Sequence, residues 1–111
     1  MEFQKTPEPN TDGLKIAAVE NGEVVGWTYL YLLHNDAHRE PFGFLENLFV
    51  LEPHRNKGIG SGLLEAAIKE ARERGCYKLV GTSRFSNEKA SKFYKRFGFA
   101  EWGTEFRLDL K

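Results

Sequence analysis

A glycine-bearing loop between an apolar run and an amphipathic segment constrains the fold of this chain more than any other stretch. Residues Phe44–Leu51 are almost continuously apolar, with the carboxylate of Glu46 among them, and Pro53 ends the run because proline has no N–H to give to a sheet. The sequence Arg-Asn-Lys-Gly-Ile-Gly follows at 55–60 and leads into the amphipathic segment. This pattern predicts a buried strand, a tight loop and a helix. A helix N-terminus preceded by glycines is suited to anions, since its free N–H groups and positive dipole end are open to a phosphate.

The spacing of the glycines excludes two common phosphate-binding motifs. A dinucleotide fingerprint needs a third glycine where this chain has Leu63. A Walker loop ends in Gly-Lys-Ser/Thr, whereas Lys57 precedes the glycines here. What remains is the pattern Arg-x-x-Gly-x-Gly after a strand that contains an acid.

The length of the chain predicts one domain with one core. Its 111 residues lie near the usual domain size. Two prolines and an Asp-Gly pair interrupt the first stretch, so we expect an extended lead-in over 1–13 and a single domain over 14–111.

Charge and composition argue against several classes of protein. Lys plus Arg and Asp plus Glu are 16 each, so the chain lacks the basic footprint of a nucleic-acid-binding domain. No apolar run approaches the roughly 20 residues of a membrane span, and no signal-peptide h-region begins the chain. The single cysteine, Cys76, excludes an internal disulfide and favours a cytoplasmic location.

Hydrophobic periodicity predicts five strands and two helices. The strands are expected over Leu14–Glu20, Val24–Leu33, Phe44–Leu51, Tyr77–Ser83 and Thr104–Leu110, and the helices over Gly60–Arg74 and Glu88–Arg96. Asn21-Gly22 predicts a tight hairpin, Gly75 ends the first helix, and Ser86 or Asn87 caps the second. The second strand is apolar at nearly every position, which predicts that both of its faces are covered.

These elements indicate an α/β fold. Strand–helix–strand over 44–83 requires a right-handed parallel crossover, whereas the opening hairpin is antiparallel. We therefore expect a mixed, mainly antiparallel sheet of about five strands with helices packed against it.

The flanks of the loop carry a resemblance to a known family. Glu46-Asn47-Leu48-Phe49-Val50 precedes the loop, and Asn87, Phe93-Tyr94 and Phe97-Gly98-Phe99 follow it, at the spacing of the GCN5-related N-acetyltransferases (GNAT). The resemblance covers roughly 14–110. It implies the GNAT fold, in which the strand before the loop and the strand after the helix splay apart and admit the pantetheine arm of acetyl-CoA. In one respect the chain departs from the family, because the first strand and two helices that wall the acceptor side are not recognisable before residue 14.

The resemblance implies that acetyl-CoA is the co-substrate and assigns residues to bind it. No metal is expected. The pantetheine arm is peptide-like and can pair with strand backbone. The residues expected to bind acetyl-CoA are Leu48, Phe49 and Val50 on the strand, Arg55, Asn56, Lys57, Gly58, Ile59, Gly60 and Ser61 in the loop, and Asn87, Lys89 and Ala90 on the second helix.

Two residues are candidates for catalysis. Glu46 is the candidate base, because an acid inside an apolar strand is costly unless it is wet or paired, and burial would raise its pKa toward a useful range. The alternative is an outward-facing carboxylate on a half-exposed strand. Tyr94 is the candidate general acid, since the family's Phe-Tyr pair places a phenol near the sulfur; the alternative is an aromatic packed on the helix. By pKa alone, His34, His38 and His54 are further alternatives for the base.

The sequence therefore predicts an N-acetyltransferase that moves an acetyl group to a primary amine of a small molecule or peptide by direct attack in a ternary complex. The alternative is a non-catalytic coenzyme A-binding sensory or regulatory module, motivated by the departure before residue 14. We expect no nucleic-acid or membrane partner. A homodimer is expected, because the apolar residues of 27–33 would otherwise leave a hydrophobic patch open. The identity of the amine stays open.

Overall fold

The computed structural model of the chain describes residues 1–84 and 86–111. It consists of two compact units, Met1–Gly81 and Thr82–Lys111. Within the described residues, neither helix combines the length and the apolar character that crossing a bilayer requires.

The first unit is built on a four-stranded sheet in the order β1-β2-β3-β4. The strands are β1 Asp12–Glu20, β2 Glu23–Leu33, β3 Phe42–Val50 and β4 Leu79–Gly81. The first three are antiparallel, and β4 runs parallel to β3, so the predicted mixed, mainly antiparallel sheet is confirmed. Asn21 and Gly22 have φ values of 52° and 80°, which is the left-handed backbone that the predicted hairpin turn needs.

Helix α1, Ile59–Glu73, lies on one face of this sheet and supplies half of the core. The buried hydrophobic side chains are Leu63, Leu64, Ala67 and Ala71 from α1 and Val25, Leu30, Leu32 and Leu45 from the sheet. A Cβ at Gly26 would stand 3.2 Å from the Leu63 side chain and 3.0 Å from the carbonyl oxygen of Phe49. Glycine at this position therefore lets the helix approach β2 closely. The helix ends as predicted, with Gly75 at a φ of 75°.

The start of β1 is joined to the end of α1 by a charged contact. Arg74 donates from Nη1 to Asp12 Oδ2 at 3.2 Å and from Nε to Glu70 Oε2 at 2.9 Å. The Gly13 N–H, which bonds Asp12 Oδ1 at 2.8 Å, and the Arg74 guanidinium lower the pKa of Asp12. Both acids thus hold the guanidinium against the first strand.

Only one face of β2 is covered from Gly26 to Leu32, so the prediction of two covered faces is wrong there. Positions 26, 28, 30 and 32 are buried under α1, whereas Trp27 and Tyr29 are half-buried and Tyr31 is 38% exposed. A single helix cannot cover both faces of a sheet, and aromatic residues fill the outward positions of this strand. We call Trp27, Tyr29 and Tyr31 of β2 and Phe49 of β3 the aromatic face.

The second unit contains helix α2, Glu88–Arg96, with the bounds that the sequence predicted. Its N-cap is Asn87, whose Oδ1 accepts a hydrogen bond from the N–H of Ala90 at 3.0 Å. Beyond the helix, Glu101 accepts hydrogen bonds from Ser91 Oγ at 3.0 Å and from Lys95 Nζ at 2.8 Å. Both hydrogen bonds lower the pKa of Glu101, and the one from Lys95 has the larger effect. They fix the start of the C-terminal segment to α2.

Two strand predictions need correction. The segment Thr104–Leu110 forms no strand, and its alternating apolar residues Phe106, Leu108 and Leu110 are exposed. Alternation makes a strand possible, but the backbone still needs a partner strand, and this segment pairs with none in the described structure. The strand predicted over Tyr77–Ser83 is only the three residues Leu79–Gly81, because its ladder with β3 is short.

Candidate functional site

The ladder between β3 and β4 covers only part of β3. Their ladder covers Gly43–Leu45 of β3, opposite Leu79–Gly81 of β4. Beyond it, Glu46–Val50 has no partner strand on that side among the described residues. This part of β3 therefore leaves strand backbone open to a peptide-like ligand. The splay that the resemblance implies stays a prediction.

A β-bulge lies just beyond the end of this ladder. Trp27 pairs with Phe49 and Tyr29 pairs with Glu46, so two residues of β3, Asn47 and Leu48, lie opposite one residue of β2. Asn47 has a φ of 57°, a left-handed backbone that asparagine tolerates better than most residues. Bulges of this kind bend a strand and re-aim its side chains. The sequence analysis missed the bulge, although an asparagine inside an apolar strand was its one local signal.

The loop after β3 leaves the N-terminus of α1 open. A single 3₁₀ turn, Glu52–His54, follows the strand, and Gly58 with a φ of 83° is the N-cap of α1. No side chain caps the helix, and its first turn contains no acid. The first bond inside the helix runs from Gly62 N–H to the Gly58 oxygen at 3.0 Å. The N–H groups of Ile59, Gly60 and Ser61 therefore precede the helical ladder, as an anion site requires.

Glycine at position 62 is a further candidate that the sequence analysis did not name. A Cβ there would meet no described atom within 4 Å, and the backbone is ordinary helix. Neither packing nor conformation in the chain requires glycine. Because glycine inside a helix costs about 0.5–1 kcal/mol relative to alanine, its presence fits the close approach of a ligand.

The two cations of the loop are placed differently. Arg55 donates from Nε to the Val50 oxygen at 2.8 Å, and its guanidinium lies 5.1 Å from the centre of the Phe49 ring. Lys57 is exposed and forms no ion pair within residues 1–84 and 86–111. The charge of Arg55 is thus held against β3, whereas the charge of Lys57 is available to bind an anion. Asn56, between them, has a φ of 65°.

Glu46 is exposed, which agrees with the alternative of an outward-facing carboxylate and not with a buried acid. It lies directly opposite Tyr29, on the sheet face that α1 does not cover. The almost continuous apolar run does not distinguish that face from the covered one, which is why the sequence left burial of Glu46 open. The carboxylate instead stands in water at the edge of the aromatic face, beside the bulge.

The other expected residues belong to the second unit. Asn87 caps α2 and Ala90 donates to it, so that asparagine has a structural role. Lys89 is exposed. Tyr94 is half-buried, and its ring lies 5.8 Å from Phe93 and 5.2 Å from Phe99, centre to centre.

The three histidines each lie beside a carboxylate. His34 Nδ1 is 3.7 Å from Glu8, and its Nε2 is 2.9 Å from the Arg39 oxygen. His38 stacks on Tyr77 in the first unit, with ring centres 3.7 Å apart. His54, in the 3₁₀ turn, is 3.7 Å from Glu20.

Comparison with known proteins agrees with this geometry. The profile of the acetyltransferase (GNAT) family matches residues 2–99. An uncharacterised N-acetyltransferase, YhfO, of Bacillus subtilis is 33% identical over 99 residues, which are 89% of this chain and 66% of the relative. The aminoalkylphosphonate N-acetyltransferase of Salmonella typhimurium is 36% identical over 84 residues, which are 76% of this chain and 54% of the relative. The chain thus spans less than two thirds of these relatives.

A solved structure shares the fold. The crystal structure of an acetyltransferase of Trypanosoma brucei superimposes with a TM-score of 0.82 at 27% identity, covering 88% of this chain and 69% of that one. The short ladder between β3 and β4, the glycine-lined start of α1 and the family profile all agree, and the chain belongs to the GNAT family of acetyltransferases.

Proposed function

We propose that this chain is an N-acetyltransferase that moves the acetyl group of acetyl-CoA to a primary amine of a small molecule, by direct attack in a ternary complex. The observation that carries the proposal is the open backbone of Glu46–Val50 leading into the uncapped N-terminus of α1. The open strand backbone can bind an extended arm that contains amides, and the helix N-terminus can bind phosphates. Acetyl-CoA contains both an amide-containing arm and phosphates in one molecule.

Each part of acetyl-CoA has residues to receive it. The phosphates lie against the N–H groups of 59–61, with Lys57 and Arg55 as neighbouring cations. The pantetheine arm pairs with the backbone of Leu48–Val50, and Gly62 leaves room beside the helix. From the second unit, Asn87, Lys89 and Ala90 are proposed to add contacts.

The reaction uses one carboxylate and one phenol. An alkylamine with a pKa of about 10 is mostly ammonium at neutral pH, so Glu46 accepts a proton from it before attack. The amine nitrogen then bonds to the thioester carbonyl carbon, the carbon–sulfur bond breaks, the sulfur leaves as coenzyme A thiolate, and the nitrogen gives up its second proton to solvent. A phenol, with a pKa of about 10, is a weaker acid than a thiol, with about 8.5. Tyr94 is therefore proposed to stabilise the departing sulfur by a hydrogen bond while the proton comes finally from solvent.

The proposed acceptor is a small-molecule amine. The Salmonella relative is named for an aminoalkylphosphonate, and a relative from Klebsiella aerogenes is named for aminoglycosides. The relatives named here are N-acetyltransferases, which favours an enzyme over the non-catalytic coenzyme A-binding module.

We also propose a homodimer in the cytoplasm. The aromatic face presents Tyr31 and Phe49, which are 38% and 40% exposed, and a second copy related by two-fold symmetry would cover part of it and wall the amine site. Cys76 is a free thiol, which suits a reducing compartment.

Two measurements, made one after the other, test the proposed function. Isothermal titration with acetyl-CoA gives the affinity, and a thiol-release assay over a panel of amines gives turnover. We expect binding and release of coenzyme A thiol that depends on an added amine. Binding without turnover on any amine would instead support the non-catalytic module, and absence of binding would contradict both.

A further inference from the structure

Three strands place Lys15, Tyr29 and Glu46 in one row across the sheet. Lys15 of β1 pairs with Tyr29 of β2, and Tyr29 pairs with Glu46 of β3. Residues that lie opposite each other in a sheet share a face, so all three side chains stand on the face that α1 leaves open. The neighbouring row contains Trp27 and Phe49 on the same face.

The ammonium of Lys15 already rests on this face. Its Nζ is 5.3 Å from the centre of the Trp27 ring and 5.8 Å from the centre of the Tyr29 ring. Both distances lie within the roughly 6 Å over which a cation is attracted to an aromatic ring. Lys15 is exposed and makes no ion pair with any carboxylate in the described part of the chain. Two rings therefore form a site for an ammonium group, and a side chain of the protein occupies it.

The neighbouring charges favour binding of an ammonium group at the rings of Trp27 and Tyr29 and oppose it at the ring of Phe49. Glu46 ends the row and contributes a negative charge beside Tyr29. At the other side, the Arg55 guanidinium lies over the Phe49 ring at 5.1 Å, so that ring already holds a cation. An incoming ammonium is thus directed to Trp27 and Tyr29, next to the carboxylate.

We propose that Trp27 and Tyr29 bind the alkylammonium group of the acceptor, and that Lys15 occupies this site until the acceptor displaces it. The proposal rests on the proposed function in that Glu46 then takes the proton from the bound ammonium. The aromatic rings attract the charged form, so loss of the proton to Glu46 also weakens their hold on the nitrogen. The acceptor class that fits is an aliphatic amine that reaches the protein as a cation, in preference to a neutral arylamine.

Tetramethylammonium tests the site without any turnover, since it has no N–H and cannot be acetylated. Its dissociation constant is measured by ligand-observed NMR titration of the full chain without acetyl-CoA. Cation–π contacts contribute about 0.5–2 kcal/mol, or roughly 2- to 30-fold in affinity. Lys15→Met keeps the apolar stem and removes the competing charge, so it is expected to tighten binding by about threefold or more. Trp27→Leu is expected to weaken binding by about tenfold.

Trp102→Leu is the matched control, because that tryptophan is 95% exposed and belongs to the second unit. It should leave the dissociation constant unchanged. If Trp27→Leu does not fold by circular dichroism, Trp27→Phe replaces it, with a smaller loss expected because the indole is the better cation–π partner. A dissociation constant that is the same in wild type, Lys15→Met and the Trp27 variant would overturn the proposal.

Turnover gives a second, separate readout. In the thiol-release assay, Lys15→Met should lower the KM for an aliphatic amine and leave kcat nearly unchanged. A KM that does not fall would overturn the role of Lys15 as a competitor of the acceptor. If the wild type binds tetramethylammonium with the expected variant pattern but acetylates no amine, the cation site stands and the proposed catalytic function fails.

Discussion

The guanidinium of Arg55 turns back onto β3 and donates from Nε to the carbonyl oxygen of Val50 at 2.8 Å. This bond fixes the end of the strand to the loop that follows it. It also holds a positive charge beside the open backbone of β3, where the phosphates and the pantetheine arm of acetyl-CoA are proposed to meet. Loop and strand therefore act together in binding, and substitutions in either are expected to change the affinity for acetyl-CoA.

The first prediction concerns the loop glycines. Gly60→Val should weaken acetyl-CoA binding by at least about tenfold, because branched methyl groups would block the approach of a phosphate to the backbone N–H groups. A Cβ at this position is 3.8 Å from the Val50 side chain, an ordinary contact, so the fold should tolerate it. Isothermal titration measures the change. An unchanged affinity in the folded variant would remove the loop from the site.

Gly62→Ala is the companion to this variant. We expect it to raise the free energy of unfolding by about 0.5–1 kcal/mol, since alanine favours a helix interior, and to weaken acetyl-CoA binding. Urea unfolding and titration separate the two effects. Greater stability with unchanged affinity would show that no ligand approaches this glycine.

The second prediction concerns the base. Glu46→Gln should lower kcat/KM most strongly near neutral pH, with recovery at high pH, where the amine loses its proton unaided. The pH profile of thiol release measures this. A loss of equal size at every pH would assign Glu46 to positioning the amine instead.

The third prediction concerns the phenol. Tyr94→Phe keeps the ring and its packing on Phe93 and Phe99 but removes the hydroxyl. It should lower kcat by on the order of 10²-fold, with little change in acetyl-CoA affinity. Single-turnover kinetics and titration provide the two values. A kcat equal to that of the wild type would exclude the phenol of Tyr94 from the reaction.

The fourth prediction concerns acid stability. The pKa of Asp12 is lowered from 3.8 by the Gly13 N–H and by Arg74. A carboxylate whose pKa is lower in the folded state stabilises the fold above its unfolded pKa, and that contribution is lost as pH falls through the folded value. Asp12→Asn should therefore lower the Tm at pH 7 and narrow the difference in Tm between pH 7 and acid. Equal Tm differences in both proteins would argue against this contact as a source of stability.

The fifth prediction is that the chain is a dimer in solution. Sedimentation equilibrium at micromolar concentration should give twice the 12.7 kDa chain mass. Tyr31→Lys, on the aromatic face, should shift the equilibrium toward monomer, because a buried charge without a partner opposes association. An active protein with the mass of one chain would contradict the dimer.

The features of the fold that could be predicted from the sequence are those set by the local residues themselves. The hairpin at Asn21-Gly22, the end of α1 at Gly75 and the cap of α2 at Asn87 each depend on the residue itself, and all three are confirmed. The exposure of Glu46 depends on which sheet face α1 covers. Whether the segment Thr104–Leu110 forms a strand depends on the presence of a partner strand. Both are non-local properties that alternation along the chain does not encode.

The short ladder between β3 and β4 has a consequence for energetics. Pairing stops at Leu45 and Gly81, so beyond Leu45 the edge of β3 that faces away from β2 has no partner strand in the described part of the chain. A ligand that pairs with this edge completes the hydrogen bonding of the protein as well as its own. Binding and folding are then linked by mass action, and the occupied protein is expected to be the more rigid and the more stable form.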